Sequence, residues 1–172
     1  MRGEGRGAKG GELPAGVYRL EENCWPAALA ADTAASGRRF CYLYGATIFD
    51  KHTFLTACQE ALAFPAYFGH NWDAFEEMIN DLAWAPAAGY VLLYDRVANF
   101  AVNRPAEWAI ALDILRSAAA EWARRGVPFT VLLRQDGGAG ARCAEIGALS
   151  RLEQTADDAD LADLRGSIQK ST

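Results

Sequence analysis

The 172-residue chain, 51% hydrophobic and 11% aromatic, has the composition of a folded globule and the length for one domain with a substantial core. A formal net charge of −5 argues against a general nucleic-acid binder, which needs a basic stripe, and no apolar run reaches the ~18 residues of a membrane helix. Cys24, Cys41, Cys58 and Cys143 stand far apart, which suits a reduced, cytoplasmic protein better than a disulfide framework or a zinc site.

Residues 1–16 are rich in glycine and charge, and no apolar segment follows the early basic residues as a secretory signal would require. This stretch reads as a mobile tail. GVYRL (16–20) has the pattern of a short strand, and WPAALAADTAAS (25–36) that of an Ala-rich helix with Pro26 in its first turn. RFCYLYG (39–45) is an aromatic-rich strand closed by Gly45. Asp50 is placed to cap a helix whose Phe54, Leu55, Cys58 and Leu62 recur at helical spacing, and Pro65 stops it. Asn71 is placed to cap a further helix from 72 to about 83.

YVLLYD (90–95) is apolar almost throughout, the pattern of a strand buried on both faces. From about 106 to 125, Trp108, Leu112, Leu115, Ala119 and Trp122 share one side of a long helix that Gly126 ends, and PFTVLLR (128–134) is a third apolar strand. Beyond residue 136 the chain turns Gly-rich, then partly helical or disordered, and ends acidic. Strands alternating with helices predict an α/β fold: a three-stranded parallel sheet covered by helices through right-handed crossovers, with room for an extra N-terminal strand and helix.

The charge is uneven. From His52 through Asp95 there is no Lys or Arg, while Glu60, Asp73, Glu76, Glu77, Asp81 and Asp95 are all acidic. On the helix at 72–83, Phe75, Met78, Ile79 and Leu82 fall on one side and Asp73, Glu77 and Asp81 on the other, with Glu76 and Asn80 flanking. Like charges one turn apart cost a helix roughly 0.2–0.5 kcal/mol per pair, and this helix accepts two such pairs. A merely solvated acidic face is the plain reading of such a run. A docking face for a strongly basic partner is the alternative, favoured by the missing counter-charge and by the aromatic cluster Phe64, Tyr67, Phe68 and Trp72 leading into the helix.

FPAYFGHNWDAFEEMINDL (64–82) resembles the signature of the barstar family, intracellular protein inhibitors of secreted microbial ribonucleases. The hydrophobe-Pro pair, the aromatic pair before Gly, the Asn, the Asp-Ala and the acid four positions after that Asp are all present. The flanking order agrees: CYLYG and a helix upstream; YVLLYD, a long helix ending EWARRG (121–126) and PFTVLL downstream. The similarity implies a barstar-like domain at 38–135, between an N-terminal extension (1–37) and a C-terminal one (136–172).

Carried over by position, the resemblance implies that Tyr67 lies on the loop leading into the inhibitory helix and that Asn71 shapes the helix start. Asp73 then supplies the first inhibitory carboxylate, Glu77 stands where the principal contact is usually Asp, and Glu121 is a further acidic contact. Glu76 replaces a large aromatic contact residue, and Asn80 and Asp81 replace a small hydroxyl-Gly pair. Trp84 lies near, though out of register with, the tryptophan that usually follows the helix. The implied partner is a basic extracellular-type ribonuclease, with no cofactor, no direct nucleic-acid contact and no membrane.

Two other readings differ in class. His70, Asp73 and Glu77 stand at i, i+3, i+7, a spacing compatible with a shared metal ion in a hydrolase, but the chain has two histidines and no recognisable metal motif. No Cys or Ser sits in a nucleophile elbow. The other reading keeps the fold and changes the partner: an immunity or binding protein for another basic toxin or nuclease.

Overall fold

Residues 13–20, 26–135 and 149–151 are described by the computed structural model. The elements run β1 (Gly16–Leu20), α1 (Pro26–Ala35), β2 (Arg39–Tyr44), α2 (Lys51–Leu62), α3 (Trp72–Asp81), β3 (Tyr90–Asp95), α4 (Ala98–Asn103), α5 (Pro105–Arg124), β4 (Phe129–Leu133) and β5 (Leu149–Arg151). One sheet holds the strands in the order β2-β3-β4-β1-β5.

The parallel part of the sheet has four strands, one more than the three of the core expectation. β1 pairs parallel with β4 in the register Gly16↔Thr130 to Arg19↔Leu133, and β5 adds an antiparallel edge against β1. The extra N-terminal strand is thus an internal member of the sheet. Of the tail expected at 1–16, residues 13–16 are packed into the fold, with Leu13 buried beside Tyr18 and Leu132; residues 1–12 and most of the C-terminal extension, with Cys24 and Cys143, lie outside the described residues.

Side chains alternate across a strand, so β3, buried along its whole length, feeds two cores. Val91 and Leu93 join Tyr18, Leu20, Leu29 and Leu132 on the α1 side. Tyr90, Leu92 and Tyr94 face the larger core, which α2, α3, α4 and α5 close. Phe54 of α2 is the hub there, its ring 5.4 Å from Phe75, 5.9 Å from Tyr94 and 5.3 Å from Phe100. Asp50 caps α2 in a capping box with Thr53, and Ala63, at φ 54°, ends the helix two residues before Pro65.

At the carboxyl end of the strands, Asp95 and Arg134 form a buried ion pair, only 1% and 4% exposed. Arg134 donates through Nε and Nη2 at 3.0 and 2.8 Å, and the Tyr42 hydroxyl donates to the same carboxylate at 2.9 Å. Burial works against ionisation of Asp95, but the hydrogen bonds from Arg134 and Tyr42 and the guanidinium charge outweigh it and hold the carboxyl below its usual range. Burial and the same carboxylate push the Tyr42 phenol up to about 12.

Candidate functional site

α3 is positioned from both ends and from beneath. At its start, the Asn71 side chain accepts from the Ala74 N–H at 2.8 Å, satisfying a donor that the first turn leaves free. His70 turns the chain into the helix at φ 49°, its Nδ1 lying 3.0 Å from the Phe68 carbonyl oxygen. Phe75, Met78 and Ile79 are buried beneath the helix. At its end Leu82 adopts φ 46° and its N–H donates to the Met78 carbonyl at 3.2 Å. The helix therefore stops at Asp81, slightly short of the expected 83, because a left-handed residue ends it.

The remaining face looks outward. Asp73, Glu76, Glu77 and Asp81 are all exposed. Among the described residues, no Lys or Arg comes within ion-pairing distance of any of them. Asp73 in the first turn agrees with the helix dipole, whereas Asp81 adds negative charge at the negative end, and α3 has no basic residue in its last turn. An open groove of about 520 Å³ is lined by Asp73, Glu76, Glu77, Asn80, Asp81 and, at its rim, Arg125.

The other residues singled out in the sequence sit differently. Tyr67 is the most exposed large apolar side chain among the described residues, at 72%, on the loop ahead of α3. Asn80 is half-buried and folds back along the helix, its Nδ2 donating to the Glu76 carbonyl at 2.9 Å. Trp84 is tucked against Phe64, and its indole N–H donates to the Leu62 carbonyl at 3.2 Å, tying the segment after α3 to the end of α2. Glu121 is engaged on its own helix by Arg124 and Arg125.

Asp113 and Ile110 were not singled out in the sequence. With Trp72, Asp73, Glu76 and Ile114 they line a second groove of about 430 Å³ between α3 and α5. Asp113 is exposed and Ile110 is 43% exposed, so the acidic face continues onto α5 beside an apolar contact. An Ile on the solvent side of a helix whose apolar stripe lies elsewhere was the available signal.

His70, Asp73 and Glu77 are not brought together as a set of metal ligands. His70 lies against Phe68 and His52, with ring centroids 4.7 and 6.2 Å away. Among the described residues no three His, Cys, Asp or Glu side chains are arranged to hold a metal ion. No helix among them is long and apolar enough to cross a membrane.

A family model described as "Barstar (barnase inhibitor)" matches residues 38–134. No curated protein matches the chain. Among solved structures, the Aeropyrum pernix ORC2 protein (ADPNP-ADP complexes) is similar at 15% identity with a TM-score of 0.49, over 73% of this chain and 36% of that one. This chain thus spans little more than a third of that protein's length, and a likeness at this level carries no functional argument.

Proposed function

The chain belongs to the barstar family, and from that premise we propose that it inhibits a basic microbial ribonuclease by seating the outward face of α3 in the enzyme's active site. A ribonuclease must gather positive charge to hold phosphates and to stabilise its transition state. Carboxylates one helical turn apart stand roughly 6 Å from each other along the axis. Held on a rigid helix, they offer the enzyme's Arg and Lys groups a fixed set of acceptors in place of phosphate oxygens. The observation that carries the reading is the exposed row Asp73, Glu76, Glu77 and Asp81, which meets no cation among the described residues.

In this reading Glu77 and Asp73 enter the phosphate sites, Glu76, Asn80 and Asp81 border them, and Tyr67, Asn71, Trp84 and Glu121 contact or frame the enzyme. The protein acts without catalysis or cofactor, in the cytoplasm; Cys41 and Cys58, buried free thiols, suit a reducing compartment. The domain at 38–135 carries the face, and the segments on either side extend it. Charge complementarity between the two proteins steers their encounter, so association slows as salt rises.

The test is titration of small guanyl-preferring microbial ribonucleases with the protein, read as stoichiometric loss of RNA cleavage. No loss with any basic ribonuclease tried rules the inhibitor reading out in favour of a different basic partner. One feature favours that second reading: Glu76 puts charge where the family pattern has a large aromatic, and Asp113 of α5 adds a further carboxylate in the same groove. A toxin nuclease with a wider basic cleft, neutralised by an immunity protein, fits such a field.

A further inference from the structure

The last carbonyls of a helix have no donor of their own, and in α3 the exposed Asp81 aggravates the negative end. The remedy comes from α5. The Trp122 indole donates to the Ile79 carbonyl at 2.8 Å, and Arg125 Nη1 donates to the Asn80 carbonyl at 2.5 Å. Arg125 is itself held in place. Its Nε donates to Glu121 Oε1 at 3.1 Å, its Nη2 lies 3.1 Å from the same oxygen, and its guanidinium lies 5.0 Å from the centre of the Trp122 ring. Arg125, the one cation among the described residues at the rim of the acidic groove, is thus spent on a backbone carbonyl and on Glu121, and it forms no ion pair with the four carboxylates of α3.

We propose that Arg125 is a positioning residue: it clamps the C-terminal end of α3 to α5 and so fixes the height and angle at which the acidic face meets its partner. The claim rests on the reading of α3 as the inhibitory face, and it also makes a statement about the free protein. Charge alone predicts the opposite behaviour. A cation bordering an acidic docking face repels a basic partner, so its removal would speed association and tighten the complex. Removing a clamp instead frees the Asn80 carbonyl, lets the last turn fray and loses preorganisation, so the complex dissociates faster.

Arg125→Ala and Arg125→Lys, compared with the parent chain, separate the two. In the free protein, amide hydrogen exchange at residues 79–82 should accelerate about 10-fold in Arg125→Ala, the equivalent of one lost hydrogen bond, while amides of β3 stay protected. With a small guanyl-preferring ribonuclease as the partner, dissociation should be about 5- to 10-fold faster and the complex weaker despite the added negative charge. Arg125→Lys should recover part of both effects, because an ammonium can still reach one carbonyl but lacks the planar fork. Unaltered exchange, or dissociation no faster than the parent's, overturns the clamp. If the parent chain inhibits no ribonuclease, the inhibitor reading falls, and the exchange measurement alone decides whether Arg125 holds the end of α3.

Discussion

Asp95 and Glu77 have the same functional group and opposite surroundings. Asp95 is sealed at the carboxyl end of the sheet and accepts from Arg134, from the Tyr42 hydroxyl and from the Arg96 N–H. Glu77 stands in solvent on α3, one turn from Asp73 on one side and Asp81 on the other, with no described cation within reach. Where the fold buries a carboxylate, it supplies every counter-charge from within. Where it concentrates carboxylates on α3, it supplies none among the described residues. A charge completed internally serves the fold; in the proposed reading, the row left incomplete is completed by the partner's cations.

The comparison breaks first on stability. Asp95→Ala removes the buried carboxylate that accepts from Arg134, Tyr42 and Arg96 and should cost about 3–5 kcal/mol, seen as a large drop in the urea midpoint. Glu77→Ala should stay within about 0.5 kcal/mol of the parent, as exposed substitutions do. Equal effects at the two positions would mean that the ridge is structural after all. On inhibition the order reverses. Glu77→Ala and Asp73→Ala should each weaken it by about 2 kcal/mol, roughly 30-fold in the inhibition constant, with circular dichroism unchanged. If both variants inhibit as well as the parent, the face assigned to the enzyme is the wrong one.

These two regions were not equally legible. The acidic row follows from spacing alone, because residues i, i+4 and i+8 share a helix face whatever lies around them. The same is true of β2, β3 and β4, whose apolar runs coincide with the strands to within a residue or so. The Asp95–Arg134 pair joins residues 39 apart in sequence, and nothing local in YVLLYD or PFTVLLR marks it. The place of β1 was hidden for a related reason: its partner Thr130 lies more than a hundred residues after Gly16, so the five-residue run shows a strand and not its neighbour. Glu121 carried a usable signal, since Arg124 and Arg125 stand at i+3 and i+4, but Arg125's reach to Asn80 on another helix could come only from tertiary structure.

The pH dependence sharpens the contrast. The Asp95 carboxyl is held low in the folded protein, so its stabilisation is complete above the unfolded value, near 3.9, and is lost as pH falls through the folded one. Tyr42 is shifted the other way, from 10.0 to about 12; its contribution is complete below pH 10 and is lost as pH rises toward 12. Urea midpoints across this range should fall at both ends. Tyr42→Phe should flatten the alkaline fall between about pH 10 and 12 and, because it removes one of the hydrogen bonds that hold Asp95 low, weaken the acid one without abolishing it. An alkaline limb identical in Tyr42→Phe and parent would detach the phenol from the buried pair.

The smallest expected effect is the most discriminating, because it carries a sign. Glu77 takes part in both like-charge pairs of α3, with Asp73 before it and Asp81 after it. Each pair costs roughly 0.2–0.5 kcal/mol. Glu77→Gln keeps the length, helix preference and hydrogen-bonding capacity of the side chain and removes the charge, so the free protein should gain a few tenths of a kcal/mol up to about 1 kcal/mol. Low salt enlarges the gain, since screening shortens the range of the repulsion. The same substitution should weaken inhibition, because a neutral amide cannot neutralise a cationic cleft. A side chain retained only for the fold has no reason to make the fold worse, whereas a group held ready for a partner commonly carries such a stability cost. If Glu77→Gln destabilises the free chain, the repulsion inferred along α3 is already relieved within the protein, and the row is no longer an unmet demand for positive charge.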